Sequence, residues 1–158
     1  MIRFSVLTIS DKGSAGLRED TSGKTIAEIL LAAGGQQVEY AIVPDDRRII
    51  SDKLISMCQS ANLILTNGGT GFSPRDITPE ATLDIIERQV PGIPEAMRAK
   101  SLEITPLASL SRAMAGIRGQ TLIINLPGSP KAVRECLEVI LPVLEHAVAI
   151  LTGATGEH

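Results

Sequence analysis

The strongest constraint on this chain is an alternation. Short unbroken runs of apolar, largely β-branched residues take turns with longer segments whose apolar residues recur at helical spacing. RFSVLTI (residues 3–9) halts at Ser10-Asp11-Lys12-Gly13, and residues 37–43 halt at Pro44. NLILT (residues 62–66) is followed by a glycine-rich loop, and residues 121–126 by Pro127-Gly128-Ser129-Pro130. Runs apolar at successive positions belong to strands covered on both faces. Between them, residues 21–33 and 47–59 carry apolar residues at helical spacing, the first ended by Gly34-Gly35 and the second opened by Asp46 as N-cap. Thr78-Pro79-Glu80 opens a helix with Thr78 as candidate N-cap, a further helix follows Gly92, and Ser129-Pro130 starts a last one reaching about residue 150, with a bend expected at Pro142. Residues 113–117 and 121–126 are separated by Arg118-Gly119-Gln120, too short for a crossover, so that pair reads as antiparallel. The fold expected is α/β: one domain over residues 1–158, a three-layer αβα sandwich whose central sheet is mostly parallel with one antiparallel strand.

Composition narrows function by exclusion. Fifteen Lys and Arg against eighteen Asp and Glu leave a net charge of −3, with no basic excess to attract a nucleic-acid backbone. Phe4, Phe72 and Tyr40 are the only aromatics, too few for a base-stacking platform. No apolar run approaches the roughly 18 residues of a membrane span, and the N-terminus shows no signal-peptide core, so a cytoplasmic location is expected. Cys58 and Cys136 lack metal-ligand or redox spacing, and His146 and His158 fall in no nucleophile pattern.

In open α/β sheets ligands bind beyond the carboxyl ends of the strands, so the four polar loops there are where chemistry would sit. The most informative reads TNGGTGFSPRDITPEAT, residues 66–82. Gly68, Gly69 and Gly71 suit a tight strand-to-helix turn, and equally a backbone cradle for phosphate. The loop is neither a Walker loop nor a dinucleotide fingerprint, since the required lysine and glycine spacings are missing. Asp76 reads either as a carboxylate paired with Arg75 near a helix N-terminus or as a Mg²⁺ ligand opposite a phosphate. Asp46 is the expected cap, which leaves Asp45 aimed at the same rim. Two carboxylates over a glycine turn suit metal-assisted phosphoryl or nucleotidyl transfer. Arg112 beside Ser111 reads as a phosphate contact or as a solvated surface arginine.

These motifs together resemble the molybdenum-cofactor biosynthesis proteins of the MogA/MoaB family, whose domain also occurs in gephyrin. The resemblance rests on VLTISD (residues 6–11), VPDD (residues 43–46), TNGGTGFSPRDITPEAT, PGIPEAMR (residues 91–98) and LSRAMAGIRGQTLIINLPGSPKAV (residues 110–133), covering nearly the whole chain. It implies a molybdopterin-binding domain that transfers AMP from Mg-ATP to the phosphate of molybdopterin, releasing pyrophosphate. The family's functional aspartates fall on Asp45 and Asp76, which would hold Mg²⁺. Thr8, Ser10 and Asp11 match a first loop near the nucleotide. Gly68, Gly69, Thr70 and Gly71, with Pro127, Gly128 and Ser129, match loops around nucleotide and pterin phosphate, and Ser111 matches a ligand-binding serine. The resemblance further implies a homotrimer, or a hexamer, and transient contact with a molybdate-inserting enzyme. Its MoaB-like branch implies an alternative: molybdopterin binding without adenylyl transfer.

Overall fold

In the computed structural model, which describes residues 1–154, the apolar runs form the middle of one six-stranded sheet. β1 (Arg3–Ile9), β2 (Gln36–Val43), β3 (Leu63–Asn67) and β6 (Thr121–Leu126) run parallel in the order β2-β1-β3-β6. β5 (Ala115–Arg118) lies antiparallel to β6, as the short connection demands, and β4 (Arg88–Gln89) completes the edge antiparallel to β5. The two-residue, exposed β4 was not expected from sequence; it has no room for a periodic pattern. His158 lies outside the described residues.

Side chains alternate across the sheet, so each central strand feeds two cores. Phe4, Val6, Leu63, Leu65, Leu122 and Ile124 face α2 (Thr21–Ala32), α5 (Gly92–Leu102) and α6 (Pro130–Leu151). Leu7, Ile9, Ile64 and Ile123 face α3 (Arg47–Met57) and α4 (Thr78–Leu83). Three layers follow, as expected. No helix among the described residues is long and apolar enough to cross a membrane. α6 is continuous across Pro142, and His146 lies on its exposed side.

Parallel register sets the site. Thr8 pairs with Asn67, Ile9 with Val43, and Asn67 with Leu126, so four strands end level and release four loops onto one rim. The caps hold those loops close. Ser10 accepts from the Gly13 N–H of the four-residue α1 (Asp11–Ser14), and Asp46 from Ile49 N–H at 3.0 Å. Ser129 accepts from Ala132 N–H. Asp20, whose capping of α2 went unread, accepts from Gly23 N–H at 2.9 Å.

Candidate active site

The loops enclose a cavity of about 640 Å³ on the rim. Gly68 and Gly69 form part of its floor. Gly68 and Gly69 both have positive φ, +94° and +70°, and neither position has space for a side chain. A Cβ on Gly68 would lie 2.3 Å from the Ile9 carbonyl oxygen, and one on Gly69 2.3 Å from Thr78 Oγ1. Thr78 is therefore no cap. Ile77 occupies that position without a side-chain bond, while the buried Thr78 hydroxyl donates to the Gly68 carbonyl at 2.9 Å. The N–H groups of Gly68 and Gly71 are engaged by Leu126 O and by Asp76; among the described residues those of Gly69 and Thr70 have no partner, and of the two only Gly69 lines this cavity.

Four aspartates line this cavity: Asp20 caps α2, and the other three have different duties. Asp11 and Asp45 form a reciprocal clasp: each carboxylate accepts the other's backbone N–H at 3.0 Å. Arg75 grips Asp11 through two hydrogen bonds, of 3.0 and 2.9 Å, instead of pairing with its neighbour Asp76. The Arg75 bonds, with the Asp45 N–H, hold the Asp11 carboxyl below the usual carboxylate range. Asp45 goes the other way: burial raises its pKa, the Asp11 N–H opposes that, and the charges of Asp11 and Asp76 add to the rise. Asp76 folds its own loop, Oδ2 accepting from Gly71 N–H at 3.1 Å and Ser73 N–H at 3.0 Å. Among the described residues, Oδ1 of both Asp45 and Asp76 is engaged by no hydrogen bond.

That pair fits a hard divalent cation. Two partly buried carboxylates repel each other across a cavity, and each keeps an oxygen for a ligand. Among the described residues no three His, Cys, Asp or Glu side chains gather tightly enough to cage a metal. Mg²⁺ commonly binds through one or two carboxylates with substrate phosphate and water completing its shell, so this donor set suits it with a phosphate present.

Thr8, Ser10, Gly128 and Ser129 also line the larger cavity. Their side chains mainly build it. Thr8 Oγ1 donates to Asp20 at 2.6 Å and accepts from Asn67 at 2.8 Å, Tyr40 donates to the same Asp20 oxygen, and Ser22 donates to Gly128 O. Thr70, Gly71, Ser111 and Pro127 instead face a second cavity of about 290 Å³, walled by apolar Pro94, Met97, Leu107 and Leu110. The glycine loop is thus a partition, its first half facing one cavity and its second half the other.

Sequence reasoning missed Asp20, Arg75 and Arg112 as parts of this construction. A signal existed for Asp20, which stands three residues before Gly23 at the start of a helical pattern. Arg112 is no solvated surface arginine: its guanidinium donates to Gly71 O, Asp76 O and Glu80. Cys58 and Cys136 are free, both thiols pushed up by burial, and Cys136 lines the second cavity.

Parallel strands ending level, a glycine turn and two opposed carboxylates form the rim of an α/β fold, an arrangement with the chemistry to take a phosphate. The chain belongs to the molybdopterin-binding family: the family model "Probable molybdopterin binding domain" matches residues 5–146. It is 46% identical to the molybdopterin adenylyltransferase of Helicobacter pylori (strain J99) over 156 residues, covering 96% of this chain and 89% of that protein. Against the molybdopterin adenylyltransferase of Escherichia coli (strain K12) it is 41% identical, over 87% of this chain and 72% of the other. The crystal structure of the molybdopterin biosynthesis enzyme MoaB from Thermus thermophilus superposes with a TM-score of 0.91 at 50% identity, over 97% of this chain and 98% of that one.

Proposed function

We propose that this protein is a molybdopterin adenylyltransferase of molybdenum cofactor biosynthesis, transferring AMP from Mg-ATP to the phosphate of molybdopterin. The observation that carries this reading is the placement of Asp45 and Asp76 in one cavity, each with an oxygen unengaged among the described residues, beside Gly69, whose amide has no partner there. The larger cavity takes the triphosphate. The smaller, more apolar one suits a flat heterocycle whose polar edge meets Ser111, with Thr70 and Gly71 as the wall shared by the two substrates.

An oxygen of the pterin phosphate attacks the α-phosphorus in line; a new phosphoanhydride bond forms as the bond to the β-phosphate breaks, and pyrophosphate leaves with that electron pair. Little covalent work falls to the protein, which positions the two phosphates and stabilises charge. Asp45 and Asp76 would hold Mg²⁺, which when bound offsets phosphate charge and polarises the α-phosphoryl group. The Gly69 amide orients a phosphate oxygen, and the clasp with Asp11 keeps Asp45 facing inward. The same reading carries a cytoplasmic homotrimer, or hexamer, that passes its product to a molybdate-inserting enzyme.

The test is to incubate the purified protein with molybdopterin and Mg-ATP and follow pyrophosphate and the adenylylated pterin. Product should form with the wild type and fall by about 100-fold or more in Asp76→Asn, which keeps an oxygen for the Gly71 and Ser73 N–H groups but removes the charge. Wild-type turnover by that variant would defeat the assigned role. The structural likeness to a MoaB protein gives the alternative a specific outcome: pterin bound with no pyrophosphate released means a binding module.

A further inference from the structure

We infer that Arg112 is a positioning residue for Asp76, a strut that sets where this carboxylate enters the larger cavity; the inference rests on the adenylyl-transfer reading. Arg112 lies between the 3₁₀ turn Pro106–Leu110 and β5, outside the loop that carries Asp76. Its backbone N–H donates to Thr70 O at 2.8 Å. Its guanidinium then uses all three nitrogens: Nε donates to Gly71 O at 2.8 Å, Nη2 to Asp76 O at 3.0 Å, and Nη1 to the Glu80 carboxylate at 2.6 and 2.9 Å.

One rigid plane therefore holds both ends of the Gly71–Asp76 turn. Inside the turn, Asp76 Oδ2 accepts the Gly71 N–H at 3.1 Å, so the strut fixes the same separation from outside that the carboxylate fixes from within. Nothing apolar does this work, because residues 72–75 are all exposed and Phe72 at the loop tip is 69% accessible. Removing the strut leaves the turn held by the Asp76 bonds within it, by the Thr78 N–H bond to Gly69 O at 3.1 Å and by Arg75, which belongs to the Asp11 clasp. Lysine cannot replace the arginine. It is a point charge on a flexible stem and can meet Glu80, but it cannot bridge Gly71 O, Asp76 O and Glu80 together.

The test pairs Arg112→Lys with Glu80→Gln. Arg112→Lys should lower kcat by about 10- to 100-fold, the loss that accompanies a displacement of about 1 Å in a reacting constellation, with the KM for molybdopterin within about twofold of wild type. Amide hydrogen exchange should quicken over residues 71–76 and stay unchanged in β3 and β6. Glu80→Gln keeps the bonds to Gly71 O and Asp76 O, so its kcat should stay within about threefold of wild type. Wild-type kcat and wild-type loop exchange in Arg112→Lys would overturn the inference, as would equal kcat losses in both variants accompanied by equal drops in melting temperature. If the wild type itself forms no product, the adenylyl-transfer reading fails, while quickened loop exchange in Arg112→Lys would still show the strut.

Discussion

Replacing Gly69 by alanine separates two costs that usually arrive together. Gly69 and Gly16 have nearly the same φ, +70° and +74°, but opposite surroundings. A Cβ at Gly16 would meet nothing within 4 Å, whereas at Gly69 it would sit 2.3 Å from Thr78 Oγ1 and 3.2 Å from Asp45 Oδ1. Gly16→Ala therefore carries only the left-handed penalty of an L-residue, about 1 kcal/mol. Gly69→Ala carries that penalty and also drives the Thr78 hydroxyl off the Gly68 carbonyl, a bond of 2.9 Å at a threonine with no exposed surface. Losing such a bond and leaving its acceptor unsatisfied costs about 2 kcal/mol more. For a chain of this length 1 kcal/mol moves the melting temperature by about 2–4 °C, so Gly16→Ala should fall by about 2–4 °C and Gly69→Ala by about 6–12 °C. Calorimetry on the two variants and on Gly69→Ala/Thr78→Ala reads this directly. The double variant, with the obstructing hydroxyl gone, should fall less than the additive sum of its single variants. Adenylyl transfer should survive in Gly16→Ala and fail in Gly69→Ala even where that variant is fully folded, because Asp45 stands against the new methyl group. Equal losses at the two glycines, or strict additivity of Gly69→Ala and Thr78→Ala, would refute the reasoning.

Two pH-dependent tests follow from the same rim. Tyr40 is the only tyrosine and there is no tryptophan, so tyrosinate absorbance reports it alone. Burial first, and then its hydrogen bond to Asp20, push its ionisation well above the ordinary value of 10.0. The folded pKa is raised, so the corresponding stability is fully present below about pH 10 and is lost as pH rises through the folded value. Native protein should show little tyrosinate where denatured protein is half ionised, and Asp20→Asn should bring the native titration down; coincident native and denatured curves would sink this. Arg75 depresses the Asp11 carboxyl, so its contribution is present above about pH 4 and lost as pH falls through the folded pKa. Urea midpoints of wild type and Arg75→Ala should differ at pH 7 and draw together as pH falls below about 4, and a difference independent of pH would remove Asp11 from the account.

Much of the fold was legible because its causes are local. Strands buried on both faces carry apolar residues on successive positions with few polar interruptions, so RFSVLTI and NLILT identify themselves despite Ser5, Thr8 and Thr66. Caps act across three residues, so Asp46 and Ser129 could be read in place. Failures fall where a side chain reaches far along the chain. Arg75 is adjacent to Asp76 but binds Asp11, 64 positions away, and Arg112 binds Gly71 O, 41 positions away. Thr78 has the composition of a cap, but the Gly68 carbonyl ten residues before it is the stronger claim on a buried hydroxyl. No local pattern encodes these choices, because the partner depends on which strands end level.

The same distinction sorts the aspartates that a motif reading treats alike. Asp11, Asp45 and Asp76 all lie on strand-end loops and all line one cavity. Asp11 accepts an N–H from Asp45 and two bonds from Arg75, so its charge is answered inside the protein and its work is to hold Asp45. Asp45 and Asp76 each give one oxygen to backbone N–H groups, which fixes the carboxylate in place, and keep the other toward the cavity. A carboxylate whose charge is fully paired gains little from a cation, whereas one whose pKa is raised by burial, as at Asp45, gains more. The raised pKa of Asp45 comes first from burial, with the charges of Asp11 and Asp76 adding to it, so a cation brought by a substrate phosphate would relieve a cost that the fold imposes on that carboxylate.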